Sequence, residues 1–324
     1  MAVLTAIDQS DARTLLGAYG RGPLRALEGI AGGSVNSNFV LETEQGRVFL
    51  RLYEEQDLAG ATRETAMLGR LAAKGVSTPA PLRRVDGALV SVVRGKPAAL
   101  FPWCDGTMLC QAGVTPTAAR RVGEALARMH RAGATEAAPA GRFGFPELMQ
   151  RLDRIAASGD ARFAPLVPSL QASLETVRAA RDEGLPHGLI HGDLFRDNVL
   201  WDAGGAIAAL LDFESACAGS YAYDLMVTIL SWCFVDDLDA GLASALCEGY
   251  DRVRPLTEPE KRGLWAEGSF AALRFTVTRI TDYAMRTGAA GPRVVKDWRR
   301  FLKRFEKLQT LGDAGVRSLL LGTP

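Results

Sequence analysis

The sequence has few histidines and no long apolar run, and these shortages exclude several classes of protein. Only three of the 324 residues are histidine, so a zinc-hydrolase site is disfavoured. No apolar run reaches the ~20 residues that a transmembrane helix needs, so we expect no membrane partner. The net charge of +1 argues against nucleic acid as the main partner.

Cysteine is also scarce. We interpret the thiols as reduced and mostly buried, because their number is odd and no C-x-x-C pair occurs. They are Cys104, Cys110, Cys217, Cys233 and Cys247. The first residues carry Asp8 and Asp11 and no basic region, so we expect no signal peptide and a cytoplasmic location. With 48% hydrophobic residues, the chain is long enough for one large or two medium domains.

The stretch from residue 188 to residue 214 places a polar loop between strand patterns and reads GLIHGDLFRDNVLWDAGGAIAALLDFE. Its spacing His-x-Asp-x-x-x-x-Asn is formed by His191, Asp193 and Asn198. That spacing matches the catalytic loop of protein kinases, in which the Asp accepts a hydroxyl proton and the Asn binds Mg²⁺. Asp212 follows the next strand pattern, where the kinases have the Asp of Asp-Phe-Gly.

The residues between Asn198 and Asp212 predict a β-hairpin with its turn at the Gly-Gly pair 204–205. Such a hairpin puts Asn198 opposite Leu211 or Asp212, with their Cβ atoms about 5 Å apart. One Mg²⁺ with ligands at about 2.1 Å could then contact both side chains. Asp193 lies on the loop before the hairpin, near a hydroxyl held beside the metal. An acidic surface loop on an ordinary hairpin is the alternative.

The first hundred residues predict an antiparallel sheet with strands at 24–30, 36–41 and 48–53. A Gly-Gly-Ser turn joins the first two strands, and its backbone amides can approach a phosphate. Arg51 on the third strand and Glu64 on a helix at 62–74 form a candidate ion pair, as the Lys–Glu pair of kinases does. A solvated acid in the first helical turn is the alternative for Glu64.

The pattern becomes helical after residue 115, so we predict an α+β chain with domains 1–102 and 103–324. The turn at 101–106 is either the hinge whose main chain pairs with adenine or a plain interdomain turn. His130 is interpreted as a polar residue at a helix end, and Asp224 as a helix cap that also braces the catalytic loop. Helices are predicted at 8–19, 116–131, 147–155, 166–182, 226–234, 242–250, 258–280 and 293–311.

These motifs resemble the aminoglycoside phosphotransferase/choline kinase superfamily, and within it the homoserine kinase branch. HGDLFRDN together with LDFE is specific for the superfamily, whereas AYDL followed by WCF and the LRF segment indicate the branch. The stretches that carry the resemblance run from about residue 29 to residue 283 and are GIAGGSVNSNF, VFLRLYE, KPAALFPWCDG, LARMH, GLIHGDLFRDNVLW, LDFESAC, YAYDLMVTILSWCF and EGSFAALRFTVTRITDY.

The resemblance implies a protein-kinase-like bilobal fold with a small antiparallel-sheet N-lobe and a larger, mostly helical C-lobe. It implies an ATP- and Mg²⁺-dependent kinase, a monomer or homodimer, that phosphorylates the hydroxyl of L-homoserine in threonine biosynthesis. Arg51 departs from the kinase pattern, which has Lys there, although the branch is not strict at this position.

The resemblance also implies roles for individual residues. Asp193 would be the catalytic base, and Asn198 and Asp212 would hold the metal. The nucleotide would be bound by Gly32, Gly33, Ser34, Asn36, Asn38, Arg51, Glu64, Pro102, Trp103 and Cys104. Glu214 has three open interpretations, which are a second metal, the substrate or solvent.

Arg274 and Asp282 lie with Thr278 on one face of a predicted helix. We predict that Arg274 binds the carboxylate and Asp282 the ammonium of the amino-acid substrate. A helix face salt-bridged to its neighbours is the alternative. Another acceptor, such as an aminoglycoside, choline, methylthioribose or hydroxylysine, stays open, as does a nucleotide-binding pseudokinase.

Overall fold

The computed structural model describes residues 3–30, 35–285 and 296–322. The chain folds into two compact units. The first comprises Met1–Gly106 with Ala208–Leu211, and the second comprises Thr107–Ile207 with Asp212–Pro324. The sequence predicts a boundary at residue 102, whereas the first unit continues to Gly106 and regains a short segment from the middle of the chain.

The first unit is built on the antiparallel sheet that the alternation of the sequence predicts. Its five strands run in the order β1-β2-β3-β5-β4. They are β1 (Leu24–Gly29), β2 (Ser37–Thr43), β3 (Gly46–Leu52), β4 (Ser91–Val93) and β5 (Lys96–Pro102), and the helices are α1 (Gln9–Ala18) and α2 (Leu58–Ala73).

The core of the first unit forms where one face of β3 packs with α1. Leu50 and Leu52 of β3 are completely buried in one cluster with Leu15 and Leu16 of α1. Burying a leucine side chain contributes about 1.5–3 kcal/mol. Asp8 caps α1, because its carboxylate accepts hydrogen bonds from the amides of the first helical turn. The packing leaves the other face of β3 to carry Arg51.

The second unit is mostly helical and carries a small antiparallel sheet of β6 (His187–Ile190) and β9 (Cys217–Ser220). Between these strands in the chain, β7 (Val199–Trp201) and β8 (Ile207–Leu210) form a hairpin, of which Ala208–Leu211 belong to the first unit. The helices are α3 (Pro116–Gly133), α4 (Phe145–Ala157), α5 (Val167–Ala180), α6 (Tyr221–Trp232), α7 (Ala240–Val253), α8 (Glu258–Arg279) and α9 (Arg299–Leu321).

Helices α3 and α7 approach each other closely through two glycines. A Cβ atom on Gly123 would collide with the carbonyl oxygen of Leu246, and one on Gly249 would collide with that of Arg120. Only glycine permits this backbone approach. The contact lies next to Tyr250, whose hydroxyl hydrogen-bonds to His130.

Helices α6 and α9 differ most from the sequence prediction. Helix α6 begins at Tyr221 rather than Met226, because the hydroxyl of Ser220 caps it by accepting a hydrogen bond from the Tyr223 amide. Helix α9 continues to Leu321 instead of ending at residue 311, and the chain kinks within it at Gly312, where φ is 63°. The predicted start of this helix at residue 293 lies outside the described residues.

The cysteines, all within the described ranges, are free thiols. Cys233 and Cys247 are buried, Cys104 and Cys217 are half-buried, and Cys110 is exposed. The prediction that most of them are buried was therefore wrong. Among the helices of residues 3–30, 35–285 and 296–322, none has the length and apolarity needed to cross a membrane.

Candidate active site

The loop that carries Asp193 follows β6 and is fixed by hydrogen bonds to its own backbone. The carbonyl oxygen of Asp193 accepts one bond of 2.7 Å from the Phe195 amide and another of 2.7 Å from Nδ2 of Asn198. Gly192 has φ of 73°, and a Cβ there would lie only 2.9 Å from the Ser215 carbonyl oxygen. The loop therefore depends on glycine at this position.

A buried carboxylate on α6 holds the start of the same loop. Asp224 accepts hydrogen bonds from the backbone amides of His191, at 2.7 Å, and Gly192, at 2.8 Å. It also accepts one of 2.9 Å from Nε2 of His130 on α3. Burial alone would raise the pKa of Asp224, but the hydrogen bond from His130 and the neighbouring charges keep that pKa below its usual value. The predicted brace on the catalytic loop is thus present, but the prediction that Asp224 caps the helix was wrong, because Ser220 is the cap and Asp224 lies within α6.

His130 connects this carboxylate to a buried chain of polar groups. Burial lowers the pKa of His130, so its ring is neutral and can donate from only one nitrogen. Because a carboxylate only accepts, Nε2 donates to Asp224 and Nδ1 accepts from the Tyr250 hydroxyl at 2.7 Å. Arg254 donates to that hydroxyl at 3.2 Å and to Glu260 at 2.8 Å. The sequence assigned His130 only a helix-end role and missed this connection.

Asp193 has the electrostatic setting of a general base. The pKa of Asp193 is raised to about 6, mainly because the group is buried; Arg274 and Lys296 oppose this shift, and the nearby carboxylates of Asp212 and Asp197 add to it. A pKa close to the working pH lets a carboxylate both accept a proton and exist largely in its charged form.

The two predicted metal ligands lie at the ends of the β7–β8 hairpin, outside its paired strands. Asn198 ends a 3-10 turn that precedes β7, and Asp212 precedes a second such turn, Phe213–Ser215. Both residues lie outside the paired strands. The prediction that strand pairing sets Asn198 opposite Leu211 or Asp212 was therefore wrong. Asp212 instead takes a left-handed backbone conformation with φ of 60° and ψ of 66°, which is rare for residues other than glycine.

The donor set at this position fits a hard divalent cation. Nδ2 of Asn198 donates a hydrogen bond to the loop backbone, so the amide oxygen can act as a metal ligand. Asp212 supplies a carboxylate. Within the described ranges no three His, Cys, Asp or Glu side chains cluster as metal ligands. An amide with one carboxylate does not form such a cluster, and Mg²⁺ usually takes its remaining ligands from phosphates and water.

The predicted substrate residues of α8 have different surroundings. Arg274 is buried with its guanidinium between two rings, 4.1 Å from the centroid of Phe143 and 3.8 Å from that of Phe275. Asp282 accepts a hydrogen bond of 2.5 Å from Arg151, as the alternative of a salt-bridged helix face predicts. It lies in a single π-helical turn that follows α8.

Glu214 lies in the 3-10 turn after Asp212 and is half-buried. Its backbone carbonyl accepts a hydrogen bond of 3.5 Å from Arg142. This contact does not choose among the three interpretations of the Glu214 side chain.

In the first unit, Arg51 and Glu64 lie together as the sequence predicts. Nη1 of Arg51 is 3.7 Å from Oε1 of Glu64, and both side chains are largely buried. Glu64 also accepts hydrogen bonds from Gln56, at 2.6 Å, and Tyr53, at 3.3 Å. The alternative of a solvated acid at Glu64 is excluded by this burial. Asn38, opposite Arg51 on β2, accepts a hydrogen bond of 3.4 Å from Nε of Arg51.

The predicted phosphate loop is only partly within the described residues. Gly32, Gly33 and Ser34 lie outside them. Asn36 is buried just before β2, where its side-chain oxygen accepts a hydrogen bond of 3.2 Å from the Glu54 amide.

The predicted adenine segment begins at the last residue of β5. Pro102 ends that strand opposite Val48, and Trp103 and Cys104 follow it. The Trp103 indole donates a hydrogen bond of 3.1 Å to Asp105, and Arg47 both pairs with Asp105 at 2.7 Å and lies over the indole ring. These contacts hold the segment in one conformation.

Comparison with known proteins places the chain in a family. Residues 26–256 match the family model described as "Phosphotransferase enzyme family". A homoserine kinase from Methylocella silvestris is 35% identical over 330 residues, covering 99% of this chain and 100% of that protein. A homoserine kinase from Gluconacetobacter diazotrophicus is 38% identical over 314 residues, covering 94% of this chain and 95% of that protein.

Two solved structures have the same fold. Amicoumacin kinase hAmiN, in complex with AMP-PNP, Ca²⁺ and Ami, aligns with a TM-score of 0.73 at 14% identity, over 95% of each chain. Spectinomycin phosphotransferase APH(9)-Ia, in complex with ADP and spectinomycin, aligns with a TM-score of 0.67 at 14% identity, over 97% of this chain and 98% of that one. These likenesses confirm the protein-kinase-like fold that the sequence predicts. The chain therefore belongs to the phosphotransferase enzyme family, in the branch formed by the homoserine kinases.

Proposed function

We propose that the protein transfers the γ-phosphoryl group of ATP to the side-chain hydroxyl of L-homoserine and forms O-phospho-L-homoserine. The observation that carries this proposal is Asp193, which lies on a braced loop and whose pKa is raised to about 6 mainly by burial, with Arg274 as the first opposing charge. The homoserine kinase names of relatives such as those from Methylocella silvestris and Gluconacetobacter diazotrophicus support the choice of acceptor.

Asp193 acts on the acceptor hydroxyl in this proposal. The carboxylate orients the hydroxyl and takes its proton as the oxygen attacks the γ-phosphorus. The bond between that phosphorus and the bridging oxygen breaks, and ADP leaves with the electron pair. Positioning and charge neutralisation supply most of the catalysis in such transfers.

Asn198 and Asp212 would hold Mg²⁺ through the amide oxygen and the carboxylate. When bound, the ion neutralises charge on the β- and γ-phosphates. Asn198 has a second task that needs no metal, because its amide nitrogen fixes the Asp193 carbonyl.

The nucleotide residues of the first unit have related tasks. Arg51 would bind phosphate oxygens while Glu64 keeps its guanidinium in place at 3.7 Å. The backbone of Gly32, Gly33 and Ser34, with Asn36 and Asn38, would complete the phosphate cradle. Pro102, Trp103 and Cys104 would contact adenine. An arginine presents a planar fork where the kinase lysine presents a point charge.

Arg274 would bind the carboxylate of the acceptor, and Asp282 its ammonium group. The guanidinium of Arg274 lies 4.1 Å and 3.8 Å from the ring centroids of Phe143 and Phe275, and its N–H groups would bind the planar carboxylate. The Arg151 partner of Asp282 reduces the charge available for an ammonium group, so the prediction for Asp282 is the weaker of the two. The cytoplasmic location and the monomeric or homodimeric state also stay predictions.

The test is Mg²⁺-dependent ATP turnover with a panel of alcohols that contains L-homoserine, choline, methylthioribose, hydroxylysine and an aminoglycoside. We expect turnover with L-homoserine and its loss in the Asp193→Asn variant, while ATP affinity stays unchanged. Turnover by that variant would reject Asp193 as the base. A preference for another alcohol would reject the acceptor, and ATP binding without any turnover would favour a pseudokinase.

A further inference from the structure

Three phenylalanine rings connect the catalytic loop to helices α8 and α9. The ring of Phe195, two residues after Asp193, lies 5.0 Å from Phe275 on α8 and 5.9 Å from Phe301 on α9. The Phe275 and Phe301 rings are themselves stacked at 4.7 Å. Such ring contacts define relative positions within a packed core. Groups that rest on these rings are therefore held at a fixed position relative to the base.

Two arginines of α8 rest on this aromatic cluster. The guanidinium of Arg274 lies 3.8 Å from the centroid of Phe275, and that of Arg279 lies 4.4 Å from the centroid of Phe301. Both guanidiniums interact electrostatically with the carboxylate of Asp193. Two cations of one helix thus act on the charge of the base.

The surroundings of Arg279 contain an excess of positive charge. The pKa of Arg279 is lowered to about 10, mainly by burial and next by the nearby Arg300. Burial likewise lowers the pKa of Arg304 to about 9, with Arg300, Arg279 and Arg196 adding to the effect. Neither Arg279 nor Arg304 has a carboxylate within 4.0 Å in residues 3–30, 35–285 and 296–322. Buried cations without a counterion are unfavourable, so the cluster favours an anion.

Arg304 has its own structural partners. It donates to the carbonyl oxygens of Leu230, at 2.7 Å, Arg300, at 2.5 Å, and Phe234, at 3.4 Å. Leu230 belongs to the last turn of α6, where a cation favours the helix dipole. These bonds account for the burial of Arg304 without any ligand.

Arg279 is different, because most of its donors are unused. It is only 8% exposed, and within the described part of the chain its guanidinium makes one hydrogen bond, of 2.9 Å, to the Asp297 carbonyl. Its Nε atom is buried and has no partner among the same residues. A planar guanidinium whose donors are mostly unused by residues 3–30, 35–285 and 296–322 matches the geometry of a carboxylate.

We propose that Arg279 binds the α-carboxylate of the acceptor and thereby selects an amino-acid alcohol over the corresponding amino alcohol. Arg279 adds a second cation to the carboxylate site predicted for Arg274. The negative charges of the substrate carboxylate and of Asp193 then balance the positive charges of the two arginines. This inference rests on the proposed function and deepens it, because it assigns the group that distinguishes the acceptor.

The experiment compares L-homoserine with 3-aminopropan-1-ol, which is homoserine without its carboxylate. Arg279→Met removes the charge and keeps an apolar stem on Phe301. We expect kcat/KM for L-homoserine to fall by about 10- to 100-fold, mainly through KM, because charge-assisted hydrogen bonds are lost. The value for 3-aminopropan-1-ol should stay unchanged, and Arg279→Lys should lie between R279M and the wild type on L-homoserine.

Arg162→Met is the matched control. Arg162 also rests on a ring, that of Phe163, but it is exposed and has its own carboxylate, Asp160, at 2.6 Å. The control should leave kcat/KM unchanged for both L-homoserine and 3-aminopropan-1-ol. If R279M does not fold, R279K alone decides, since it keeps a cation but loses the fork and should still lower the preference for L-homoserine.

The outcomes separate this inference from the proposed function. The role of Arg279 would be overturned if R279M lost kcat/KM equally for both substrates. It would also be overturned if the wild type had the same kcat/KM for both. If the wild type phosphorylates neither, the proposed function fails, and calorimetric titration with L-2-aminobutyrate, homoserine without its hydroxyl, decides. Affinity weakened at least about tenfold in R279M supports a carboxylate site. Equal affinity in both proteins rejects it.

Discussion

The imidazole of His130 donates a hydrogen bond of 2.9 Å to the buried carboxylate of Asp224. The same carboxylate accepts hydrogen bonds from the backbone amides of His191 and Gly192, the two residues before the proposed base Asp193. The position of the catalytic loop therefore depends on one charged group on α6 and on the imidazole that orients it. His130 touches no reacting group, so we regard it as a positioning residue.

Replacing His130 should lower kcat more than it changes either KM. His130→Phe leaves Asp224 one donor short and Tyr250 without its acceptor, so we expect destabilisation by about 1–3 kcal/mol. His130→Gln can still donate to Asp224 and should recover a large part of both stability and kcat. Thermal unfolding and steady-state kinetics on the two variants measure these effects.

A purely structural role for His130 predicts a different result. In that case both variants would lose stability while the folded fraction kept the wild-type kcat. Active-site titration, which counts folded enzyme, distinguishes the two, and a normal kcat per folded molecule in H130F would exclude a positioning role.

The importance of His130 could not be derived from the sequence. Its partners Asp224 and Tyr250 are 94 and 120 residues away along the chain, and a single polar residue at a helix end carries no spacing signal. The Arg51–Glu64 pair was predictable, because strand alternation and helix periodicity each place one partner on an inward face. Prediction succeeded where local periodicity sets the side-chain direction.

The metal-ligand pair illustrates a second limit of local rules. The sequence located the hairpin and both residues, Asn198 and Asp212, but strand register does not orient them. Asp212 takes a left-handed conformation that no propensity rule assigns to an aspartate after a strand. Its direction is set by the turn that follows, and this turn depends on packing within the second unit.

The raised pKa of Asp193 predicts the pH dependence of the reaction. The base must be deprotonated, so kcat/KM for the acceptor should be constant above pH ~6 and fall about tenfold for each pH unit below it. Arg274 favours the charged form of Asp193, so Arg274→Met should move the midpoint to higher pH. Rate profiles of the wild type and R274M test this, with R162M as the control.

A midpoint in R274M that stays in place or moves to lower pH would contradict the assignment of Arg274 as the main opposing charge on Asp193. A wild-type rate that is constant down to pH ~4 would remove Asp193 as the titrating base, since an unperturbed aspartate titrates near that pH.

Arg51 should affect the nucleotide and not the acceptor. Arg51→Met removes a fork held by Glu64, and we expect KM for ATP to rise by about 10- to 100-fold while KM for the acceptor stays unchanged. Arg25→Met is the matched control, because Arg25 lies on strand β1 of the same sheet, is exposed, and is 3.6 Å from the exposed Glu44. ATP titrations at saturating acceptor measure both. An unchanged KM for ATP in R51M would reject the phosphate role.

The approach of α3 and α7 gives a stability prediction with an internal control. Gly249→Ala puts a methyl group against the Arg120 carbonyl, so the two helices must separate, and we expect destabilisation of about 1–3 kcal/mol. Gly17→Ala, in α1, adds the same methyl group where nothing lies within 4 Å, and should stabilise by up to about 1 kcal/mol. Denaturant unfolding measures both.

The same substitution should also lower kcat, because Tyr250 follows Gly249 and donates to His130. If G249A kept a normal kcat despite its reduced stability, the packing of the two helices would be independent of the positioning of the catalytic loop.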